Sequence, residues 1–418
     1  MRHGRCGDGI VHGNQGEDCD SATIVGLTCR DFGFWAGEVA CTDCREDPSV
    51  CLTLVRLSAR GSHACALDQN GNAWCWGDNA RGQLGLGVTD AGRSLPQPVA
   101  MPAGVTFASI VTGGSHSCAL DQNGTAWCWG GNDFGQTGTG ALVTTVLLPT
   151  AVQMPVGVTF TSLYSGGNHV CALNAIGTAW CWGDNQSGQI GGTELQNPAR
   201  VPLTVWMPVA TTFTTMSLGM EHSCAVAASG RSYCWGRGTE GQLGQGAYTS
   251  ADIPTAVAQS TTLHVSIHAG TSHTCAIDTS GAAWCWGRND FGQLGTGNYT
   301  SGNAPVAVSA PGANWAVTRM SVGPAFTCAI DAAGSAWCWG GDFNGALGNG
   351  SGSDSPVPIQ VGFPASSVLT EISSGYYYSC ALDSFGLAWC WGNNDKGQLG
   401  NGNTSTAEIP GILSEPAN

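Results

Sequence analysis

In the stretch HACALDQNGNAWCWG, residues 63–77, His63, Cys65 and Cys75 are side chains able to ligate a metal or to cross-link. His63 and Cys65 lie two apart, so on a strand they share one face. A hairpin bringing Cys75 opposite Cys65 makes either a His-Cys-Cys trio suited to zinc or copper(I) or a disulfide. The constellation recurs seven times, in the pairs Cys65 and Cys75, Cys118 and Cys128, Cys171 and Cys181, Cys224 and Cys234, Cys275 and Cys285, Cys328 and Cys338, and Cys380 and Cys390. Phe326 and Tyr378 replace the histidine in units six and seven, and no fourth ligand recurs. The pairs therefore read as disulfides, with neither a metal nor another cofactor expected.

Register supports this choice. In LDQNGNA the Asp-x-x-Gly spacing suits a three-residue hairpin loop, a type I turn followed by a left-handed glycine. If Asp68 closes against Asn72, Leu67 faces Ala73, Ala66 faces Trp74 and Cys65 faces Cys75. Alternation of hydrogen-bonded pairs makes the cysteines a non-hydrogen-bonded pair, with Cα atoms about 4.5 Å apart. Each bridge closes a short loop and contributes roughly 2 to 3 kcal/mol at best. The turn aspartates Asp68, Asp121, Asp278, Asp331 and Asp383 read as caps, since Asn174 and Ala227 replace them in the other two units. Trp74 and Trp76 point away from the cysteines and read as packing between neighbouring units.

Successive first cysteines are 51 to 53 residues apart. Each unit supplies an alternating apolar run such as VTFASIV (105–111) or VTFTSLY (158–164), the cysteine hairpin, a glycine-rich loop, and a short run such as PTAV (149–152). Four antiparallel strands per unit and seven units predict an all-β, seven-bladed β-propeller. It runs over 52–418, from LTLVRLS (52–58) to EIPGIL (408–413). The frame GxxHxCALDxxGxAWCWGxNxxGQLGxG at 61–87, with GQTG at 135–138, GQIG at 188–191 and GALG at 345–348 as variants, resembles the regulator-of-chromosome-condensation repeat. That resemblance implies the same propeller. Members that sense ultraviolet light use clustered tryptophans, but a tryptophan at every repeat reads first as core.

Residues 1–51 hold Cys6, Cys19, Cys29, Cys41, Cys44 and Cys51, the composition of a small disulfide-stapled module. Its CGDG and GEDCD segments resemble Cys-rich modules of exported myxobacterial proteins. Twenty cysteines argue for an oxidising compartment, so an extracellular or cell-surface location is expected, although MRHGRCGDG carries no apolar leader. The net charge of −15 and the single lysine exclude the basic surface that nucleic acid requires. No window approaches the roughly 18 to 20 apolar residues that span a bilayer as a helix. A monomeric ring is expected.

No nucleophile elbow, phosphate loop, HExxH or paired-carboxylate motif is present. Function is then sought where the repeats differ, because a strict frame with variable tips builds binding surfaces. Two loops of each blade share one propeller face. The loop before the hairpin brings Met220, Glu221, Tyr376 and Tyr377. The loop after it brings Arg81, Phe134, Arg237, Glu240, Arg288, Phe291, Phe343 and Lys396. Aromatic and arginine side chains on a rigid face are what a protein or glycan partner needs. An extracellular hydrolase or lyase at the channel mouth, or a structural adhesion or envelope component, are the alternatives; the first predicts clustered carboxylates with shifted pKa values.

The disulfide reading is tested by alkylating the native protein without reductant and measuring its mass. The fourteen repeat cysteines are expected to stay unlabelled until reduced; full labelling beforehand overturns the assignment.

Overall fold

A computed structural model describes residues 23–32, 34–42, 45–47, 51–192, 196–258, 262–364 and 367–416. Strands β1 (Thr23–Thr28), β2 (Glu38–Thr42) and β3 (Arg45–Asp47) form a small antiparallel sheet. Blade 1 follows as β4 (Leu54–Arg60), β5 (His63–Asp68), β6 (Ala73–Gly77) and β7 (Arg93–Pro98), paired in chain order. Six more four-stranded sheets repeat this order, and the first strand of blade 7 packs against β4 to close the ring. Every blade keeps its own four strands, so closure exchanges none. No helix among the described residues is long and apolar enough to cross a membrane.

The hairpin register is the expected one. Leu67 faces Ala73, Ala66 faces Trp74 and Cys65 faces Cys75. All seven repeat pairs are disulfides with Cα atoms 4.1 Å apart, slightly closer than a relaxed pleat gives. The Asp68 carboxylate accepts the N–H groups of Asn70 and Asn72, while Gly71, at φ +78°, donates to the Asp68 carbonyl. Asp68 also accepts the Trp74 indole N–H at 3.2 Å, a bond repeated by Asp121, Asp278, Asp331 and Asp383. In the N-terminal segment Cys29 pairs with Cys51 and Cys41 is disulfide-bonded; Cys6, Cys19 and Cys44 lie outside the described residues.

The cysteine face of one blade packs on the tryptophan face of the next. Cys65, Cys75 and Leu84 of blade 1 share a core with Phe107, Ala119 and Trp129 of blade 2. The second tryptophan of each hairpin is completely buried, whereas Trp74 is half-buried at its edge. The Trp129 indole donates to the Gln83 carbonyl of the preceding blade at 2.9 Å, and Trp76 does the same to Gln398 across the seam. A Cβ on Gly85, at φ +70°, would stand 2.9 Å from that indole nitrogen. The closing glycine of GQLG is thus fixed by the ring seated on it.

The Gln83 carbonyl accepts a second bond, from the Ser117 hydroxyl at 2.9 Å. With its proton so committed, Ser117 receives the N–H of His63 Nε2 at 2.8 Å. His169, His222 and His273 repeat the arrangement with Ser223, Thr274 and Thr327. His116 turns instead to Ser165, because Val170 stands where the hydroxyl belongs. These rings are buried and structural, each left with an unpartnered Nδ1.

Burial pushes the His273 ring down to about pKa 3. The unfolded ring titrates near 6.5, so between these values the unfolded state binds more protons. Stability is therefore full above about pH 6.5 and is lost as pH falls toward 3, by roughly 1 kcal/mol per pH unit for each such ring. Denaturant titrations at stepwise lower pH are expected to show a shallower loss for His273→Phe, the residue blade 6 uses naturally. An unchanged slope refutes the assignment.

Candidate functional site

The loops after the first and third strands of each blade emerge together, as the bond from the Asp78 N–H to the Ser62 carbonyl shows. At the centre of this face, backbone bonds link blade to blade around the channel: Gly114 to Gly167, Gly167 to Gly219, Met220 to Gly270, and Tyr376 to Gly61. A Cβ on Gly61 would fall 2.2 Å from the Gly114 carbonyl oxygen, so small residues dominate this ring. Two large side chains interrupt it. The Tyr376 hydroxyl of blade 7 donates to Sδ of Met220 in blade 4 at 3.3 Å, spanning the mouth.

Outside the mouth, three aromatic rings from consecutive blades touch. Phe291 meets the Phe343 edge at 4.9 Å between centroids, and Phe343 meets Tyr377 at 5.1 Å. Phe343 is 37% exposed, and both flanking rings are partly open. Tyr377 sits at φ +62° and Asn344, beside Phe343, at φ +56°, a conformation costing a non-glycine residue about 1 to 2 kcal/mol. None of the six residues equivalent to Tyr377 in the other blades has a positive φ.

The arginines are less available than the sequence suggests. Arg81 pairs with Asp133 at 3.1 Å, Arg237 with Glu221 at 2.8 Å, and Arg288 with Asp290 at 2.6 Å, all partly solvated. Such pairs add little stability and serve mainly to orient side chains. Phe134, Glu240 and Lys396 occupy loop tips outside the aromatic arc. Sequence reading missed Tyr248 and Tyr299, both more than half exposed on the long third loops, although YTS recurs there in blades 4 and 5. It also missed Arg60, which lies inside the channel. Of the most exposed aliphatic side chains, Val156, Val209 and Ile176 are on links and turns at the opposite end of the ring, whereas Leu142 is on the third loop of blade 2.

Burial raises the pKa of Asp184, Asp342 and Glu371. These belong to a loop of blade 3, a loop of blade 6 and the far end of an inner strand, so they do not form the clustered carboxylates of the hydrolase reading. Asp342 has a local cause. Its place is held by asparagine in five blades, where the amide donates to loop carbonyls, as Asn289 does to Asn298 and Thr300. A carboxylate has no such proton, and Asp342 Oδ2 is buried without a partner. Desolvation, then the nearby Asp354 and Glu408, hold it up. Asp342→Asn is expected to stabilise the protein at pH 7.5 by about 1 to 2 kcal/mol. The gain should shrink as acid protonates Asp342, and a thermal-melt series that shows no gain at pH 7.5 counts against this account.

The RCC1-like domain matches residues 25–370, and the regulator of chromosome condensation (RCC1) repeat matches residues 369–398 and 386–418. The ultraviolet-B receptor UVR8 of Arabidopsis thaliana is 30% identical over 361 residues, covering 85% of this chain and 81% of that protein. The E3 ubiquitin-protein ligase HERC2 of Homo sapiens is 28% identical over 363 residues, 85% of this chain but 7% of the ligase, so the chain spans a small part of that protein. Among solved structures, human WBSCR16 superposes with TM-score 0.75 at 20% identity, covering 82% of this chain and 95% of that one. Prp20p of Saccharomyces cerevisiae superposes with TM-score 0.72 at 20% identity, covering 94% and 90% respectively.

Proposed function

The chain belongs to the RCC1-like domain family, and from that membership we propose that it is an exported binding propeller holding a protein or glycan on the face of Phe291, Phe343, Tyr377, Met220 and Tyr376. The observation that carries this reading is the aromatic arc, three touching rings partly open to solvent, one of them on a strained backbone. Apolar rings kept partly open at a conformational cost favour a binding role over packing. Partly open ring faces suit sugars as well as apolar side chains. Prp20p, of the same fold, is known for binding Gsp1p and histones and for its complex with Kap60.

Export is supported by the single disulfide in every blade and the cysteine-rich N-terminal segment. The relatives compared above are eukaryotic; the likeness of residues 1–51 to myxobacterial modules supports a bacterial origin for this chain. The test is affinity capture from a surface extract, using the whole chain as bait. A Phe291→Ala, Phe343→Ala, Tyr377→Gly variant is compared with one changed at the opposite end, Ile176→Ser with Phe385→Ser. Glycine accepts the Tyr377 backbone angle without strain, so the first variant should fold. Its capture is expected to fall about tenfold or more while the second variant behaves as wild type. Equal capture by both variants, or loss only in the second, sinks the proposed face. Periodate treatment of the extract separates glycan from protein partners.

A further inference from the structure

Arg60 is a cation inside the channel with no counter-ion among the described residues. Strand β4 runs on to Arg60, whose repeat position is glycine in the six other blades. The glycines leave room for the ring three residues on: a Cβ on Gly113 would stand 2.1 Å from the His116 imidazole, and one on Gly375 2.0 Å from Tyr378. Blade 1 departs from this rule, and its guanidinium enters the channel beneath Tyr376. Its one hydrogen bond is long, 3.4 Å to the Ser165 carbonyl of blade 3. Among the described residues, no carboxylate lies within ion-pairing distance of it. Arginine does not shed its proton in a protein, so the charge stays.

The lining suits a ligand that accepts hydrogen bonds. Arg60 borders a cavity of about 170 Å³ whose wall includes Ser217 and Ser321. Each of these accepts one backbone N–H, from Ala269 at 2.9 Å and Ser374 at 2.8 Å, which leaves its own hydroxyl proton to donate. Further along the same inner strands stand Arg56 and Arg319, against the single carboxylate of Glu371. The channel of a chain with net charge −15 thus carries a positive excess, which low-dielectric walls concentrate. The cavity is smaller than the roughly 300 Å³ at which sites for drug-sized molecules begin, which limits the ligand to a few heavy atoms.

We infer that the channel is a binding site for a small oxyanion, gripped by the Arg60 guanidinium through paired charge-assisted hydrogen bonds and by the inner-strand hydroxyls. The class comprises inorganic phosphate, sulfate and small carboxylates, all of which match the guanidinium fork. The site is separate from the aromatic arc and stands or falls without it.

Calorimetric titration of the full chain with phosphate, sulfate or acetate, at ionic strength fixed by sodium chloride, tests the inference. Saturable binding of at least one is expected, and the preferred anion tells a tetrahedral ligand from a carboxylate. Arg60→Gly, the residue of the other six blades, should weaken that binding about tenfold or more while melting no lower than wild type in anion-free buffer. Arg60→Gln, which keeps length and removes charge, should lose it as well, and Arg60→Lys should retain part. Absence of saturable binding by the wild type, or binding unaltered in both Arg60→Gly and Arg60→Gln, overturns the site.

Discussion

One carbonyl group per blade carries the architecture. The Gln83 oxygen accepts the Trp129 indole N–H and the Ser117 hydroxyl, both from the next blade, and Ser117 in turn receives His63 from the first. A buried indole and a buried hydroxyl each carry a penalty of about 1 to 3 kcal/mol if left unpaired, so the carbonyl must be presented at one position and orientation. The GQLG loop does this by a left-handed glycine on which the indole lies, and by the Gln83 side chain, which accepts the Arg81 N–H at 2.8 Å. The third loop of every blade is thereby tied to its neighbour's core. A surface built on those loops starts from a rigid base, which limits the ordering entropy a partner must overcome.

The residues proposed for binding are departures from this frame, and Asp342 is a further one. Arg60 replaces a glycine, Asp342 an asparagine and Tyr377 a small or polar residue, and Met220 and Tyr376 replace small residues at the mouth. Among the described residues, each of the first three sets itself against the local rule: Arg60 as a charge without a counter-ion, Asp342 as a buried oxygen without a partner, Tyr377 as a side chain at positive φ. Stability alone does not account for them, since the other blades show the relaxed solution at the same position. The frame tolerates the exceptions because most blades keep the rule at each position.

Much of this was legible in the sequence, for a physical reason. Hairpin register depends on a turn and a count, both local, so Cys65 opposite Cys75 and the left-handed Gly71 follow from seven letters. Blade number follows from period. Contacts between blades join residues far apart in sequence, 34 positions for Ser117 with Gln83 and 54 for Ser117 with His63, and no local rule selects the main-chain oxygen that accepts them. The aromatic tips could be assigned to one face but not shown to touch, because contact depends on how adjacent loops lean. Arg81 and Arg237 looked free because their acidic partners, Asp133 and Glu221, sit in other loops. Arg60 was within reach of alignment alone, as the one non-glycine in its column, although it lies on an inner strand and not at a loop tip.

The seam between blades 7 and 1 shows what a ring without an exchanged strand needs. Sheet edges face the channel there, and their N–H groups require acceptors. Ser373 and Glu371 of blade 7 take those of Ala59 and Leu57 at 2.8 and 2.9 Å, and the Tyr378 hydroxyl donates to the His63 carbonyl. On the outside, the N-terminal segment covers the join. Trp35 is completely buried in the cluster of Trp76, Leu399 and Leu413, meets Trp74 edge-on at 5.2 Å, and Arg30 donates to the Leu413 carbonyl in the last blade. Backbone bonds between Ala36 and Leu52 hold that segment to the start of blade 1, and the Cys29–Cys51 bridge closes it. The residues before the propeller thus grip its first and last blades together, performing by packing and one disulfide what strand exchange would otherwise provide.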